Sequence, residues 1–557
     1  MKQIDFFSYY GSYMSFRNND GNLVMHTKHG RAKTTHIADV MTVNLLGEGE
    51  QKLDLSFPMT SISKDDKVVN VTYSDESTVV FQGTAEAVIE LDFAPANQFD
   101  YAFRNKDETG YYYVVNSYKT FTKYIVYSDS ADIFLLNNYE DKNNLVCKLV
   151  IRSREKAYTF RIQEVKHNMN RCLWDKTEFE KCVENTELVF DMFASGYRVS
   201  LPDWQDDVRY AAYILWSSVI KAEGLQKRDL VLASNHDLNC VWSFDAGFPM
   251  YGLVGIDNKL ALNQIISFFE HQDEIGTIPG SMDDSNMRWM FMKPPGQGMF
   301  LRQLIKRYTL SYEEASILYN GIKKQIEFWQ LYKDGNHDGI CEYHHGNESC
   351  MDNATVFDFA GPVDSPDLTC YLVEAMDTLS ILADTLGNWK ISIYWKEQAD
   401  ILAQKAIKYF VNDEGLPCVR ESITGKEIKT KSIIPYTLLL LKDRLPLGLR
   451  KKWIGVLERD YMSDYGLSSE AKQSEKYEED GYFRGSVFHY YTVPLVDNLY
   501  ECGEMATAER IMMSYCFAFR KSGSYECFSA LSGKGQHLPS FTSSAGAFLY
   551  FCEKYLA

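Results

Sequence analysis

The sequence lacks an excess of basic residues, a membrane-spanning apolar run and an N-terminal signal sequence. Its 58 Lys and Arg residues are outnumbered by 76 Asp and Glu, which gives a net charge of −18. That charge repels nucleic-acid phosphates and excludes nucleic acid as the main partner. No apolar run approaches the roughly 20 residues that span a membrane, and the first residues contain no apolar signal core. We therefore expect a cytoplasmic protein that does not bind membranes.

Paired cysteines are missing as well. The chain contains twelve Cys residues, and none of them forms a CxxC pair. Without a signal sequence, buried free thiols are a better interpretation than disulfides. The aromatic content is high at 14%. Aromatic residues beyond the needs of a core often line sugar-binding surfaces, although extra core packing is the commoner reason.

With 557 residues, the chain is too long for one core, so two domains are expected. Residues 1–199 are predicted to form an N-terminal β-sandwich domain, because short β-branched runs such as Lys67–Tyr73, Leu145–Ile151 and Glu187–Phe193 alternate with polar turns. This domain has no evident catalytic constellation, which favours a packing or substrate-shaping role.

Helical periodicity dominates residues 200–557, the predicted catalytic domain. Ser311 with Glu314 predicts a capping box, and Pro366 is placed to open a helix that Gly387 ends. About twelve helices fit this region without a repeat of fixed period. Short and long loops alternate between them, which fits a closed double ring of helical hairpins with the active site where the long loops meet.

An acidic, turn-rich segment at residues 334–368 separates two of these helices and carries eight carboxylates. Aromatic residues such as Tyr343 and Phe357 argue against disorder, and a long ordered loop in a compact domain is usually functional. Sugar hydrolysis requires one carboxylic acid kept protonated and one carboxylate kept ionised. Clustered carboxylates beside aromatic residues supply the groups for that chemistry.

The start of this segment is similar to a calcium-binding loop. Asp334, Asn336 and Asp338 place oxygen atoms at alternate positions, but the twelfth position of the loop is His345 rather than Glu. Glu342 could replace it. We predict a structural Ca²⁺ site at Asp334, Asn336, Asp338 and Glu342, with metal-free Asx-turns as an equally weighted alternative. No cofactor is expected for the chemistry itself.

Four further stretches could line a sugar pocket. Each also has a structural interpretation. The stretch with Trp242, Phe244 and Asp245 could be a core Trp with a helix-capping Asp, and the stretch with Glu348, Asp352 and Asn353 could be a solvated acidic loop. The stretch with Tyr525 and Glu526 could carry a surface Glu on an edge strand, and the stretch with Tyr482, Arg484 and His489 could be an interhelical loop with a salt-bridged Arg.

Taken together, these stretches resemble the glycoside hydrolases with an (α/α)6 barrel, most closely the family 63 α-glucosidases and mannosylglycerate hydrolases, and next the family 37 trehalases. Glu348–Asn353 resembles the signature E-S-G-W-D-N, and Tyr482–Gly485 resembles Y-W-R-G. Gly276–Gly280, followed by Trp289 and Pro294-Pro295, resembles the G-x-I-P and PP loops. The likeness covers most of residues 200–557.

The resemblance implies an inverting hydrolase in which Asp352 is the general acid and Glu526 the general base, with the two carboxyls roughly 6.5–9.5 Å apart. It also implies a substrate pocket shaped by several side chains of the quoted motifs. These are Trp242, Phe244, Asp245, Trp289, Glu348, Asn353, Tyr482, Arg484 and His489.

The sequence departs from the family pattern at several pocket positions while keeping both carboxylates. Cys350 replaces Gly, Met351 replaces Trp and Phe483 replaces Trp. We interpret this as retained chemistry with an altered sugar preference. An exo-acting, α-glucosidase-like hydrolase of a short oligosaccharide or glycoside is therefore expected. The alternatives are an inverting sugar phosphorylase, a polysaccharide lyase that would use Tyr482, Arg484 and His489, and a non-catalytic sugar-binding protein.

Overall fold

The structure is a computed structural model that describes residues 2–30, 38–93, 99–118, 120–137, 146–153, 156–165, 175–290 and 292–556. The chain forms two compact units. Unit 1 contains residues 1–196, 212–240 and 283–286, and unit 2 contains residues 197–211, 241–282 and 287–557. The predicted domain boundary at residue 199 is not tested by this division and stays a prediction.

Unit 1 contains two large antiparallel sheets. The seven-stranded sheet has the order β1-β2-β3-β4-β9-β14-β13, and the eight-stranded sheet has the order β10-β11-β12-β15-β8-β7-β6-β5. The strands are β1 Phe6–Ser8, β2 Met14–Asn19, β3 Asn22–Thr27, β4 Ala38–Leu46, β5 Lys52–Asp54, β6 Thr60–Lys64, β7 Lys67–Asp75, β8 Thr78–Gly83, β9 Val88–Phe93, β10 Tyr101–Asp107, β11 Gly110–Ser117, β12 Thr122–Tyr127, β13 Asp132–Asn137, β14 Cys147–Arg152 and β15 Tyr158–Val165. Two short strands, β16 Val219–Ile220 and β17 Leu230–Val231, pair in the same unit.

The strand predicted at Glu187–Phe193 is wrong, because these residues lie in helix α1, Phe179–Ala194. The buried residues of α1 recur at helical spacing, at Phe179, Cys182, Thr186 and Phe190. The apolar residues that suggested a strand, among them Leu188 and Met192, are exposed on the other side. The prediction at Leu145–Ile151 agrees with β14 from Cys147 onward; Val146 precedes the strand, and Leu145 lies outside the described residues.

Unit 2 is mainly helical. Helix α2, Gln205–Ser217, starts in unit 2 and ends in unit 1. The other helices are α3 Gly247–Leu253, α4 Asn258–Phe269, α5 Gln297–Leu304, α6 Tyr312–Tyr332, α7 Pro366–Thr385, α8 Trp389–Phe410, α9 Leu447–Val456, α10 His489–Glu501, α11 Met505–Ser522 and α12 Thr542–Tyr555, with a 3₁₀ helix at Ile434–Arg444. The capping box predicted for α6 is confirmed, since the Ser311 side chain accepts from Glu314 N–H and the Glu314 side chain from Ser311 N–H.

Short strands fix the loops between these helices. They are β18 Val241–Trp242, β19 Ser281–Met282 and β20 Met287–Arg288 in one sheet; β21 Glu342–Tyr343, β22 Val363–Asp364, β23 Val419–Glu421 and β24 Glu427–Ile428 in a second; and the pairs β25 Met462–Ser463 with β26 Gly466–Leu467 and β27 Tyr525–Phe528 with β28 Gly535–Pro539. Because the strands pair over two to five residues, they hold loop ends in place without forming a separate core.

The eleven cysteines within the described residues are free, and ten of them are buried, as the sequence predicts; Cys172 lies outside those residues. Among the helices that the structure describes, none is long and apolar enough to cross a membrane.

Candidate active site

Three carboxylates of unit 2, Asp245, Asp352 and Glu526, come close enough to affect one another's protonation. Asp245 follows β18, Asp352 follows the 3₁₀ turn Gly346–Ser349, and Glu526 lies in β27. Asp352 raises the pKa of both Asp245 and Glu526, and Asp245 raises that of Glu526. The structure thus brings together both predicted catalytic carboxyls and one predicted pocket residue.

Glu526 is 9% exposed and accepts a hydrogen bond from the Tyr482 hydroxyl. Burial raises its pKa to about 7, and the Tyr482 hydrogen bond acts in the opposite direction by stabilising the charged form. Glu526 lies at an irregularity in β27, between Tyr525 and Cys527, where the pairing with β28 shifts. Such bulges redirect a side chain and are frequent beside active sites.

Asp352 has different surroundings. Its side chain is 46% exposed, and its carboxyl lies 4.0 Å from the ammonium group of Lys293. Partial burial raises its pKa, while the positive charges of Lys293 and His345 lower it. One carboxyl is therefore enclosed and held by a hydroxyl, and the other is open to an incoming molecule.

Asp245 is buried and accepts a hydrogen bond of 2.5 Å from the Tyr490 hydroxyl. Burial raises the pKa of Asp245. The helix-capping alternative for this residue is not what the structure shows, because α3 has no side-chain cap at its first residue. The half-buried Trp242 precedes it in β18, which pairs with β19 at the end of the Gly276–Gly280 segment.

Lys293 was not predicted from the sequence. Its ammonium group donates to the backbone and side-chain oxygens of Asn347, at 2.8 and 2.5 Å, and lies 5.1 Å from the centre of the Trp242 ring. Lys293 therefore connects the segment before Asp352 to Trp242, a predicted residue of the substrate pocket. Its position directly before Pro294-Pro295, part of the quoted family pattern, was the only signal that could have identified it.

Asn353 connects the acid loop to the loop that holds Tyr482. Its side chain donates to Gly481 O at 3.0 Å and accepts from Phe483 N–H at 2.9 Å. Tyr482 lies between these two contacts with φ of 56°, in the left-handed region. Val487 then bonds to Phe528 of β27 in both directions, at 2.7 and 3.1 Å. Residues 481–487 therefore link the loop that carries Asp352 to strand β27, which carries Glu526.

Several predicted pocket residues form contacts with neighbouring loops. Arg484 donates to Asn353 O and forms an ion pair with Asp358, which is the salt-bridged alternative. Glu348 accepts from Lys333 at 2.6 Å and from His344 N–H at 2.7 Å.

Phe244 and His489 are buried among aromatic rings, and burial lowers the pKa of His489 to about 3. Because His489 is fully buried and neutral, its position does not support the lyase alternative. Trp289 is 39% exposed.

The four predicted calcium ligands have hydrogen-bond partners in their own loop or at Ser422. Asp334 accepts from the N–H groups of Asp338 and Gly339 at 3.0 and 2.9 Å, which forms the Asx-turns of the metal-free alternative. Asn336 donates to Ser422 O at 2.9 Å, and Glu342 accepts from the Ser422 hydroxyl. Within the described ranges, no three His, Cys, Asp or Glu side chains are arranged to hold a metal.

One observation nevertheless fits a cation at this loop. Asp364 in β22 is fully buried, and its Oδ1 has no hydrogen-bond partner among the described residues. Burial, with added repulsion from Asp338 and Glu342, raises the pKa of Asp364 to about 7. A hard cation such as Ca²⁺ prefers carboxylate and carbonyl oxygens of this kind.

Glycoside hydrolases divide the acid and base roles between two carboxyls of unlike protonation, and the mainly helical unit contains one enclosed carboxyl, Glu526, and one exposed carboxyl, Asp352. The comparison with known families agrees. Residues 239–544, just over half of the chain, match the family model described as the mannosylglycerate hydrolase MGH1-like glycoside hydrolase domain. The chain belongs to this family of glycoside hydrolases.

Solved structures show the same fold at low sequence identity. The GH63 mannosylglycerate hydrolase from Thermus thermophilus in complex with Tris and D-glycerate is 16% identical with a TM-score of 0.54, over 61% of this chain and 98% of that chain. An uncharacterized conserved protein from the same organism is 17% identical with a TM-score of 0.54 and the same coverage. A protein described as a sialidase is 10% identical with a TM-score of 0.51, over 90% of this chain and 55% of that chain. None of the curated proteins matches the chain.

Proposed function

We propose that the protein is an inverting, exo-acting α-glycosidase that hydrolyses a short oligosaccharide or glycoside. Asp352 is the general acid and Glu526 the general base. The observation that carries the proposal is the contrast between the two carboxyls. Glu526 is enclosed and hydrogen-bonded to Tyr482, whereas the Asp352 side chain is exposed beside Lys293. In this proposal the helices of unit 2 form an (α/α)6 barrel, residues 1–199 form a β-sandwich and residues 200–557 the catalytic domain.

In the proposed reaction, the Asp352 carboxylic acid gives its proton to the glycosidic oxygen as the bond from that oxygen to the anomeric carbon breaks. The Glu526 carboxylate takes a proton from a water molecule whose oxygen attacks the anomeric carbon from the opposite face. The products are a free sugar of inverted configuration and an alcohol. Asp352 is left ionised and Glu526 protonated, and exchange with solvent restores both groups.

The acid role is given to Asp352 by its place in the motif Glu348–Asn353, and its exposed side chain can reach the oxygen of a leaving group that departs toward solvent. The position of Glu526 suits the base, because an enclosed carboxylate with one oxygen held by Tyr482 keeps its other oxygen oriented toward a water molecule. Trp242 and Asp245 are proposed to bind the terminal sugar, with the indole ring against its apolar face and the carboxylate on its hydroxyls.

In the proposed active form the pair carries a single proton, on Asp352. Burial favours the same proton on Glu526, so the active form is in equilibrium with one in which Glu526 holds the proton. Burial raises the pKa of Glu526 to about 7, and the two carboxyls affect each other, so the pair titrates with two apparent pKa values. We expect kcat/KM to fall above a pH near 7, where the pair loses its proton, and again at low pH, where both carboxyls are protonated.

Tyr482→Phe removes the hydrogen bond that stabilises ionised Glu526. The pKa of Glu526 should rise further, which moves the shared proton away from Asp352. A hydrogen bond to a charged group contributes about 1.5–3 kcal/mol, so kcat/KM should fall roughly 10- to 100-fold and its alkaline limb should move to higher pH. A pH profile of kcat/KM measures both effects.

Tyr550→Phe is the matched control for this variant, because the buried Tyr550 likewise donates to a carboxylate, that of Asp497, at 2.7 Å. Its pH profile should coincide with that of the unmodified enzyme. An unchanged profile in Tyr482→Phe would contradict the assigned role of Tyr482.

A panel of α- and β-linked glycosides, incubated with and without inorganic phosphate, tests the reaction class. Hydrolysis of an α-glycoside at the same rate in both conditions, abolished in Asp352→Asn, is the expected result. Turnover that requires phosphate would identify a phosphorylase, and formation of an unsaturated product would identify a lyase.

We further propose that the loop beginning at Asp334 binds one Ca²⁺ ion, held by Asp334, Asn336, Asp338 and Glu342 together with Asp364. The ion would stabilise the loop and take no part in the chemistry. Calorimetric titration with CaCl₂ should show one site in the unmodified protein and none in Asp364→Asn. Absence of binding in the unmodified protein would favour the metal-free Asx-turns.

A further inference from the structure

A groove of about 650 Å³ opens in unit 1 between strands β10–β11 and β13. β10 and β13 are the edge strands of the two large sheets. The groove lies apart in sequence from the residues of the proposed catalytic site, and its volume is within the range of ligand pockets, about 300–1,000 Å³. Its lining includes Arg104, Tyr111, Tyr113, Asp132 and Phe134.

Hydrogen bonds between the two edges hold the groove open. The Tyr113 hydroxyl donates to Ile133 O, and the Asn137 side chain donates to Ala102 O at 2.9 Å. Each bond joins the β10–β11 side to β13. Because the walls are fixed without a ligand, binding would cost little conformational entropy.

Two aromatic rings along the groove remain accessible. Tyr111 is 52% exposed and Phe134 is 42% exposed. The Arg104 and Lys106 side chains lie 4.7 and 5.2 Å from the centre of the Tyr111 ring, and Arg152 lies 4.9 Å from that of Phe134. These cations restrict the rings while a large part of each ring stays open, so both can serve as rigid, flat contact surfaces.

The polar groups of the groove are mixed in sign. Arg104 and Asp132 both act on the Tyr113 hydroxyl electrostatically, which places one guanidinium and one carboxylate beside the aromatic rings. Planar guanidinium and carboxylate groups can each bind two adjacent hydroxyls. Arg104 and Asp132 are the charged residues among those that line the groove, and their charges balance, while Lys106 and Arg152 contact the rings without lining it. The lining itself therefore favours a neutral polyhydroxy ligand over an anion or a cation.

We propose that this groove is a non-catalytic binding site for a neutral oligosaccharide chain. Flat rings contact the apolar C–H faces of successive sugars, while Arg104 and Asp132 bind their hydroxyls. Such a site would hold a glycan on unit 1 independently of the carboxyls that catalyse. The proposal therefore stands whether or not the assignment of Asp352 and Glu526 is correct.

Affinity electrophoresis of the full chain in gels containing a neutral glucan, mannan or xylan tests the proposal. An exo-acting pocket binds only chain ends, whereas an open groove can also bind chain interiors. All proteins carry Asp352→Asn, so that the gel polysaccharide is not degraded. At least one neutral polysaccharide should retard the protein, and Tyr111→Ala should weaken that retardation at least tenfold, with Tyr111→Trp restoring it.

Tyr101→Ala is the matched control, because Tyr101 is also 52% exposed and lies in β10 but does not line the groove. Its retardation should equal that of the parent protein. With the catalytic carboxyls intact, hydrolysis of a small soluble substrate should be the same in Tyr111→Ala and the unmodified enzyme. Absence of retardation by all three polysaccharides, equal retardation of Tyr111→Ala and its parent, or retardation only by an anionic polysaccharide would each overturn the proposal.

Discussion

Glu526→Gln is expected to lower kcat by about 10³-fold or more, since general-base catalysis contributes about 10²–10⁴-fold and a neutral amide cannot accept the proton of the attacking water. The change conserves side-chain volume, and Tyr482 can still donate to the amide oxygen. KM should change little, because Glu526 acts on the water rather than on the sugar. Steady-state kinetics with the best substrate of the panel measures both parameters.

Glu470→Gln is the control for this substitution. Glu470 is also buried in unit 2 and accepts hydroxyl hydrogen bonds, from Thr355 at 2.7 Å and Ser474 at 2.6 Å, and burial raises its pKa. Its loss should reduce thermal stability while kcat per folded molecule stays close to that of the unmodified enzyme. Turnover by Glu526→Gln at the unmodified rate would remove Glu526 as the base.

Asp352→Asn is expected to lower kcat/KM by about 10³-fold for substrates with poor leaving groups, because an amide cannot protonate the departing oxygen. The same variant should hydrolyse the corresponding glycosyl fluoride within about tenfold of the unmodified rate, because fluoride departs without a proton from the enzyme. Glu526→Gln should fail with both substrates. The dependence on the leaving group thus separates the acid from the base.

Asp384→Asn, at an exposed position of α7, supplies the reference for Asp352→Asn. Its rate with both kinds of substrate should be that of the unmodified enzyme. If Asp352→Asn were equally defective with the fluoride and with the natural leaving group, Asp352 would be a binding or base residue instead, and the roles of the two carboxyls would have to be reassigned.

The sequence was sufficient to predict the helical class of the second half, the capping box of α6 and a glycoside hydrolase. These predictions rest on local patterns and on motifs that each span only a few residues. The prediction at Glu187–Phe193 was wrong because a short apolar run does not distinguish a strand from the exposed side of an amphipathic helix. The buried positions Phe179 and Phe190 carry the helical period over a longer window.

The contacts of the site could not be predicted in the same way. Lys293 approaches Asp352, and Tyr490 approaches Asp245, across long separations in the chain that only the tertiary fold brings together. Arg484 and His489 stand in a suggestive motif, yet one is held by an ion pair and the other is enclosed by aromatic rings.

The backbone conformation of Cys350, in the motif Glu348–Asn353, is a feature that the sequence alone does not show. Cys350 replaces the glycine of the family signature, and its φ of 57° lies in the region that favours glycine. The turn before Asp352 therefore keeps its left-handed backbone despite the substitution.

The measurement that tests the proposed mechanism most directly is proton NMR of the first sugar released from the best α-linked substrate, recorded before the anomers equilibrate. The account predicts that the β anomer appears first and that the α anomer grows in later at the rate of spontaneous mutarotation. Initial release of the α anomer would mean retention of configuration. That result would contradict the proposal that Glu526 activates a water molecule while Asp352 protonates the leaving group.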